Sequence, residues 1–102
     1  MIIIQGWIRL AEGEIERLRP TAEAMIRTTR STEPGCFEYN FAVDLVEPNL
    51  LRIGERWTDQ AALDAHFASA HMKEFQKAIA AAKIDGLSAM SYNGSDERKL
   101  LG

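Results

Sequence analysis

The chain has a single cysteine, Cys36, so no disulfide can close within it, and a reducing cytoplasm is the expected compartment. It has no long hydrophobic run. The apolar stretch near its start is only "MIII", too short for a signal peptide or a membrane span. It has no basic cluster either: 12 Lys and Arg are scattered among 15 Asp and Glu, for a formal net charge of -3. A nucleic-acid surface needs a basic stripe that displaces counterions, so that class of partner is excluded. Glycines are isolated, as in "EGE" and "IGE", and no Gly-rich loop opens a helix to cradle phosphate. No G-x-S-x-G elbow and no HExxH pair occurs. No linker, low-complexity segment or internal repeat divides the sequence.

What is present is a chain of 102 residues, 46% hydrophobic and 26% charged, which reads as one globular domain over residues 1–102. "IIIQGWIRL" (Ile2 to Leu10) is β-branched and bounded by polar residues, the pattern of a strand. From Glu14 the period becomes helical, with Ile15, Leu18, Ala22, Met25 or Ile26, and Thr29 on one face. Pro20 predicts a kink there or a fresh helix start. "TEPG" then turns the chain. In "CFEYNFAVD", Phe37, Tyr39, Phe41 and Val43 alternate with polar residues, so they form the apolar face of a second strand. "VEPN" is a turn, and "LLRIGERW" (Leu50 to Trp57) pairs back as an antiparallel third strand.

Thr58 is the expected N-cap of the helix "DQAALDAHFAS", and Ser69 the expected cap of a second helical piece, "AHMKEFQKAIAAA". "LSAMSYN", after Gly86, gives the last strand. The order is β-α-β-β-α-β, an α+β ferredoxin-like arrangement with a four-stranded antiparallel sheet and the helices on one side. The other side of that sheet mixes Trp7, Arg9, Leu50, Arg52 and Arg56, a composition suited to a wet protein interface. A homodimer of stacked sheets is the expectation. RNA-recognition domains share the β-α order but place stacking aromatics on the third strand, which "LLRIGERW" lacks.

Both histidines fall in "ERWTDQAALDAHFASAHM". Five residues apart on one helix means about 140° around its axis, so His66 and His71 do not converge on a metal, and none is expected. A break near Ser69 is the one feature that could redirect His71. His66, at the margin of an apolar stripe beside Leu63 and Phe67, is either a general base facing a pocket or a partly exposed, hydrogen-bonded histidine. Glu55 shares a strand face with Ile53 and Trp57 and so needs a partner, with Arg27, Arg30 or His66 as candidates. Trp57 and Trp7 read as core or interface anchors, and Tyr39 as a phenol donor or a packing residue.

"EPGCFEYNF" followed by "GERWTDQAALDAHFASAHMKEF" closely resembles the antibiotic biosynthesis monooxygenase family, in which quinol monooxygenases also occur. The likeness extends from the first strand to Ala82, and departs at Ala70, where the family usually has proline before its second histidine. The resemblance implies a dimeric α/β barrel and a cofactor-free monooxygenase acting on an aromatic polyketide or quinol with dioxygen. It carries over Glu55, Trp57, His66 and His71. Haem-degrading members are similar to a histidine in the region "EFQKAIAAA", and this chain has none there.

Triplet dioxygen must take its first electron from an electron-rich substrate anion, so such a site needs a base, a dry pocket and donors for the anion. On this reading His66 is the base and Glu55 orients it or shares its proton. Tyr39 and His71 are secondary donors, and Trp57 and Phe67 are apolar walls. An isomerase using the same base and a dimeric small-molecule-binding module without chemistry are the alternatives.

Overall fold

In the computed structural model, which describes residues 1–102, the elements run β1 (Ile2–Leu10), α1 (Glu14–Thr32), β2 (Cys36–Val43), β3 (Leu50–Trp57), α2 (Gln60–Ala68), α3 (Ala70–Ala80) and β4 (Ile84–Asn93). The strands form one antiparallel sheet in the order β2-β3-β1-β4, the ferredoxin-like topology expected from the element order. β4 starts at Ile84, earlier than "LSAMSYN" suggested, because Ile84 still pairs with Leu10 past an irregularity at Arg9 and Leu10.

α1 runs through Pro20 without interruption. The ring occupies a solvent-exposed position, so the bond it denies to the Glu16 carbonyl is lost where water replaces it. Its inner face buries Leu18, Met25 and Thr29, and the helix packs on α3 and β2. The N-cap of α2 is Asp59 rather than Thr58: its carboxylate accepts the Ala62 amide N–H at 2.9 Å. Ser69 caps α3 as expected, accepting from the Met72 amide.

Alternation in β1 sends Ile2, Ile4, Ile8 and Leu10 under the helices, where they are buried. The larger core cluster joins Ile2, Ile4, Met25, Tyr39, Trp57, Leu63 and Phe75. Strand β2 departs from simple alternation. Cys36 pairs with Trp57 and Glu38 with Arg56, so Phe37 is an extra residue, a β-bulge. The bulge lets Cys36 and Tyr39 both pack inward and turns Phe37 out to 57% exposure, so Phe37 is not part of the apolar face that alternation predicts.

The opposite side of the sheet carries Gln5, Trp7, Arg52, Met90 and Tyr92 around a shallow depression of about 340 Å³. There Arg9 lies over the Trp7 ring at 5.3 Å, Arg52 pairs with Asp44 and Arg56 with Glu38. Met90 and Tyr92 stay more than half exposed. No helix is long and apolar enough to cross a membrane.

Candidate functional site

Three chain segments meet at one imidazole. Glu33 is the residue at which α1 ends, with extended backbone and its amide bonded to the Thr29 carbonyl. The turn that follows brings Gly35 against α2 so closely that a Cβ there would lie 2.5 Å from Ala62 Cβ. Only glycine permits that approach, and it sets Glu33 beside the far end of α2. α2 buries Leu63 and, one turn later, His66.

His66 is 1% exposed, so of the two readings open in the sequence the partly exposed one is excluded. Its ring lies 4.7 Å from the Trp57 ring and 5.0 Å from that of Tyr39. Nδ1 is 2.7 Å from Glu33 Oε2, and Nε2 is 3.1 Å from the Tyr39 hydroxyl. A carboxylate only accepts, so the hydrogen of neutral His66 sits on Nδ1 and is donated to Glu33. Nε2 is then the acceptor, and Tyr39 donates its O–H to it. Burial lowers the pKa of His66; the hydrogen bond and charge of Glu33 oppose this without reversing it. The His66–Glu33 contact is therefore a hydrogen bond of a neutral imidazole rather than an ion pair at neutral pH. Burial, followed by the charges of Glu55 and Glu33, raises the pKa of Tyr39 far enough to keep it a phenol.

The same Glu33 Oε2 lies 2.7 Å from Nε2 of His71. His66 and His71 converge, against the expectation from their spacing, because they do not lie on one continuous helix. Ser69 leaves helical geometry at φ -71, ψ 152, and α3 starts on a new axis. Its hydroxyl donates to the His66 carbonyl at 2.6 Å and sits 3.3 Å from His71 Nε2. The break fixes both imidazoles on one carboxylate.

Glu55 is buried as expected, but none of its candidate partners bonds it. Its Oε1 accepts the Trp57 indole N–H at 2.9 Å, while Arg30 donates to the Tyr39 carbonyl and Asn40. Burial raises its pKa; the indole bond opposes this and the charge of Glu33 adds to it. Trp57 is fully buried with its ring 4.7 Å from that of His66, a packing contact in the core, and it does not line the apolar cleft. Phe67 is 47% exposed with its ring 5.8 Å from His66, a partial screen rather than an enclosing wall. Burial also raises the Cys36 thiol, which is no reactive thiolate.

Beside this network lies an apolar cleft of about 140 Å³ between α1, α3 and the sheet, bounded by Ala22, Ile26, Phe41, Leu51 and Phe75. Neither His66 nor Glu55 lines it. Tyr39 does not line it either; its ring packs 5.5 Å from that of Phe41, which does. Glu33 is the site residue that sequence reasoning missed. "TEPG" predicts a turn and "EPGCFEYNF" carries the family resemblance, but neither assigns the acid a role; an acid ending a helix sits where the macrodipole disfavours negative charge, and that cost is the available signal.

Residues 1–78 match the family model described as "Antibiotic biosynthesis monooxygenase". The Synechocystis protein "Uncharacterized protein sll1783" is 35% identical over 74 residues, which cover 72% of this chain but half of that protein's length. The Bacillus subtilis protein "Putative monooxygenase YcnE" is 28% identical over 75 residues, covering 74% of this chain and 78% of that one. A crystal structure of a Deinococcus radiodurans protein superposes with a TM-score of 0.89 over the whole of both chains at 24% identity, a likeness of fold.

Proposed function

Because the chain belongs to the antibiotic biosynthesis monooxygenase family, we propose that it oxygenates a small aromatic, quinol or polyketide-like substrate with dioxygen and without a cofactor. The observation that carries this reading is the hydrogen-bonded series Glu33–His66–Tyr39, in which the unprotonated His66 Nε2 can take the Tyr39 proton, beside an apolar cleft.

A cavity of about 150 Å³ lined by apolar side chains holds benzene, so the cleft suits a single ring. On this reading the Phe41 ring, which lines the cleft and packs 5.5 Å from that of the buried Tyr39, gives way so that the substrate hydroxyl meets the Tyr39 oxygen. Tyr39 accepts the substrate proton as it passes its own to His66 Nε2, so the phenol never ionises. Glu33 stabilises the imidazolium formed, the place in the site for which Glu55 was expected. Glu55 acts one step back, through Trp57 and the ring stacked on His66. His71 bonds the same Glu33 oxygen as His66 does, and Trp57 and Phe67 shield the imidazole.

The substrate anion gives the first electron to dioxygen. For a quinol the balance closes without an outside reductant: quinol plus dioxygen gives hydroxyquinone plus water. The mixed apolar and cationic outer face of the sheet supports a homodimer of stacked sheets.

The test is oxygen uptake with a quinol, compared among wild type, His66→Ala and Tyr39→Phe. Uptake by the wild type and a fall of about 10²–10⁴-fold in both variants are expected. Equal rates remove the relay. Turnover that persists without oxygen makes the protein an isomerase, and tight binding with no turnover in either atmosphere makes it a binding module.

A further inference from the structure

We propose that Glu33, His66 and His71 form a binding site for a divalent transition-metal ion of the zinc type, a site that goes beyond the oxygenation reading. The donor atoms Glu33 Oε2, His66 Nδ1 and His71 Nε2 all lie within 4.8 Å of one another. Zinc bonds of about 2.0–2.2 Å to nitrogen and oxygen place tetrahedral ligand atoms roughly 3.3 Å apart. Both imidazole nitrogens already stand 2.7 Å from the shared oxygen, so the carboxylate withdraws by a fraction of an ångström while the two nitrogens, within 4.8 Å of each other, close toward the tetrahedral spacing.

Two imidazoles and one carboxylate are a donor set for zinc, iron(II), cobalt or nickel; calcium and magnesium take oxygen ligands. The three ligands come from the end of α1, from α2 and from α3, so the packing of three helices, not a mobile loop, holds them. A groove of about 340 Å³ alongside, lined by Glu33, Trp57, Ala65 and Ser69, gives an entry path and room for a water as fourth ligand. The side chains of Glu33 and His71 are 13% and 18% exposed, so the ion reaches two ligands from solvent.

Binding needs no net loss of protons from neutral histidines. The hydrogen on His66 Nδ1 moves to Nε2, the hydrogen that His71 Nε2 donates to Glu33 moves to its Nδ1, and each ring then ligates through its bare nitrogen. His66 Nε2–H then donates to the Tyr39 hydroxyl across the same 3.1 Å contact, with the phenol turning from donor to acceptor. A ligating histidine whose other nitrogen is fixed by a hydrogen bond is the usual arrangement around zinc. That tautomer has no acceptor left for a substrate proton, so metal binding and the relay through Tyr39 exclude each other.

The experiment is equilibrium dialysis of the untagged, chelator-stripped chain against micromolar zinc, with metal content measured by mass spectrometry and no reference to turnover. One zinc per chain is expected, unchanged in Cys36→Ser. Affinity should fall in Glu33→Gln and His71→Ala by more than the 10–100-fold, roughly, that losing an outer hydrogen-bond partner costs. Circular dichroism checks that each variant folds. Shifts of the His66 and His71 ring resonances on adding zinc to the wild type report the ligands without any substitution. Failure to retain zinc, retention undiminished in His71→Ala and Glu33→Gln, or ring resonances that do not move would overturn the site.

Discussion

Trp57 donates its indole N–H to Glu55, two residues earlier on the same strand, at 2.9 Å in the buried interior. Both side chains point under the helices because alternate strand residues share a face. The donor is neutral, so the carboxylate gains a hydrogen bond but no counter-charge, in keeping with a pKa raised by burial. Trp57→Phe removes that donor and leaves a buried acceptor unpaired. It should destabilise the fold by about 1–3 kcal/mol before any cavity cost, measured by urea unfolding. In Trp57→Phe/Glu55→Leu much of that loss should be recovered; an additive result would mean the indole matters only for its volume.

Glu33 and Glu55 should separate in kinetics. Glu33→Gln replaces the carboxylate that faces His66 and should lower kcat/KM for the quinol by about 10²-fold or more, because the imidazolium loses its stabilising charge. Glu55→Gln, one residue removed from the imidazole, should cost less. The reverse order would return the orienting role to Glu55.

The pH dependence follows from opposite shifts. His66 has a lowered pKa, so the unfolded chain binds its proton more readily; stability is lost as pH falls from 6.5 through the folded value. Glu55 has a raised pKa, so its contribution is lost as pH rises from 4.5 through its folded value. His66→Gln should flatten the acid-side loss of stability, and Glu55→Gln should steepen it. With a chelator present, the acid limb of kcat/KM should lie below pH 6.5, since only neutral His66 is a base. A limb above that value would assign the limiting proton to another group.

Ser69 caps α3 and also ties the His66 carbonyl, so Ser69→Ala should cost about 0.5–2 kcal/mol. It should weaken quinol turnover and zinc retention together, because both depend on where His66 and His71 point. Stability lost with turnover and zinc retention intact would show that the backbone break holds without its hydroxyl.

Met90→Lys places a charge on the exposed outer face of the sheet. Sedimentation should show a dimer for the wild type and a monomer for the variant, as buried unpaired charge is costly at an interface core. A wild-type monomer at micromolar concentration would remove the stacked-sheet arrangement.

The element order was legible because hydrophobic period changes are local. Ile2 to Leu10, the helical spacing from Glu14 and the β3 boundaries all emerge from neighbours in sequence. The site was only half legible. His66, Tyr39 and Trp57 lie on faces that periodicity predicts, and they do come together. The carboxylate partner could not be read, since Glu33 reaches His66 across 33 residues and only tertiary packing brings them into contact. Phe37 was misplaced because a bulge has no pattern of its own: it resets alternation by one residue, and only the pairing partner reveals it.

The extended conformation of Ser69 makes this short stretch intolerant of changes in length. Adding or deleting one residue beside it would swing His71 about 100° around the α3 axis, away from Glu33. A segment that resembles a dispensable joint between two helices therefore behaves like the spacer in a lock. Its composition can drift at the exposed Ala68 and Ala70, while the number of residues between the two imidazoles is held by the carboxylate they share.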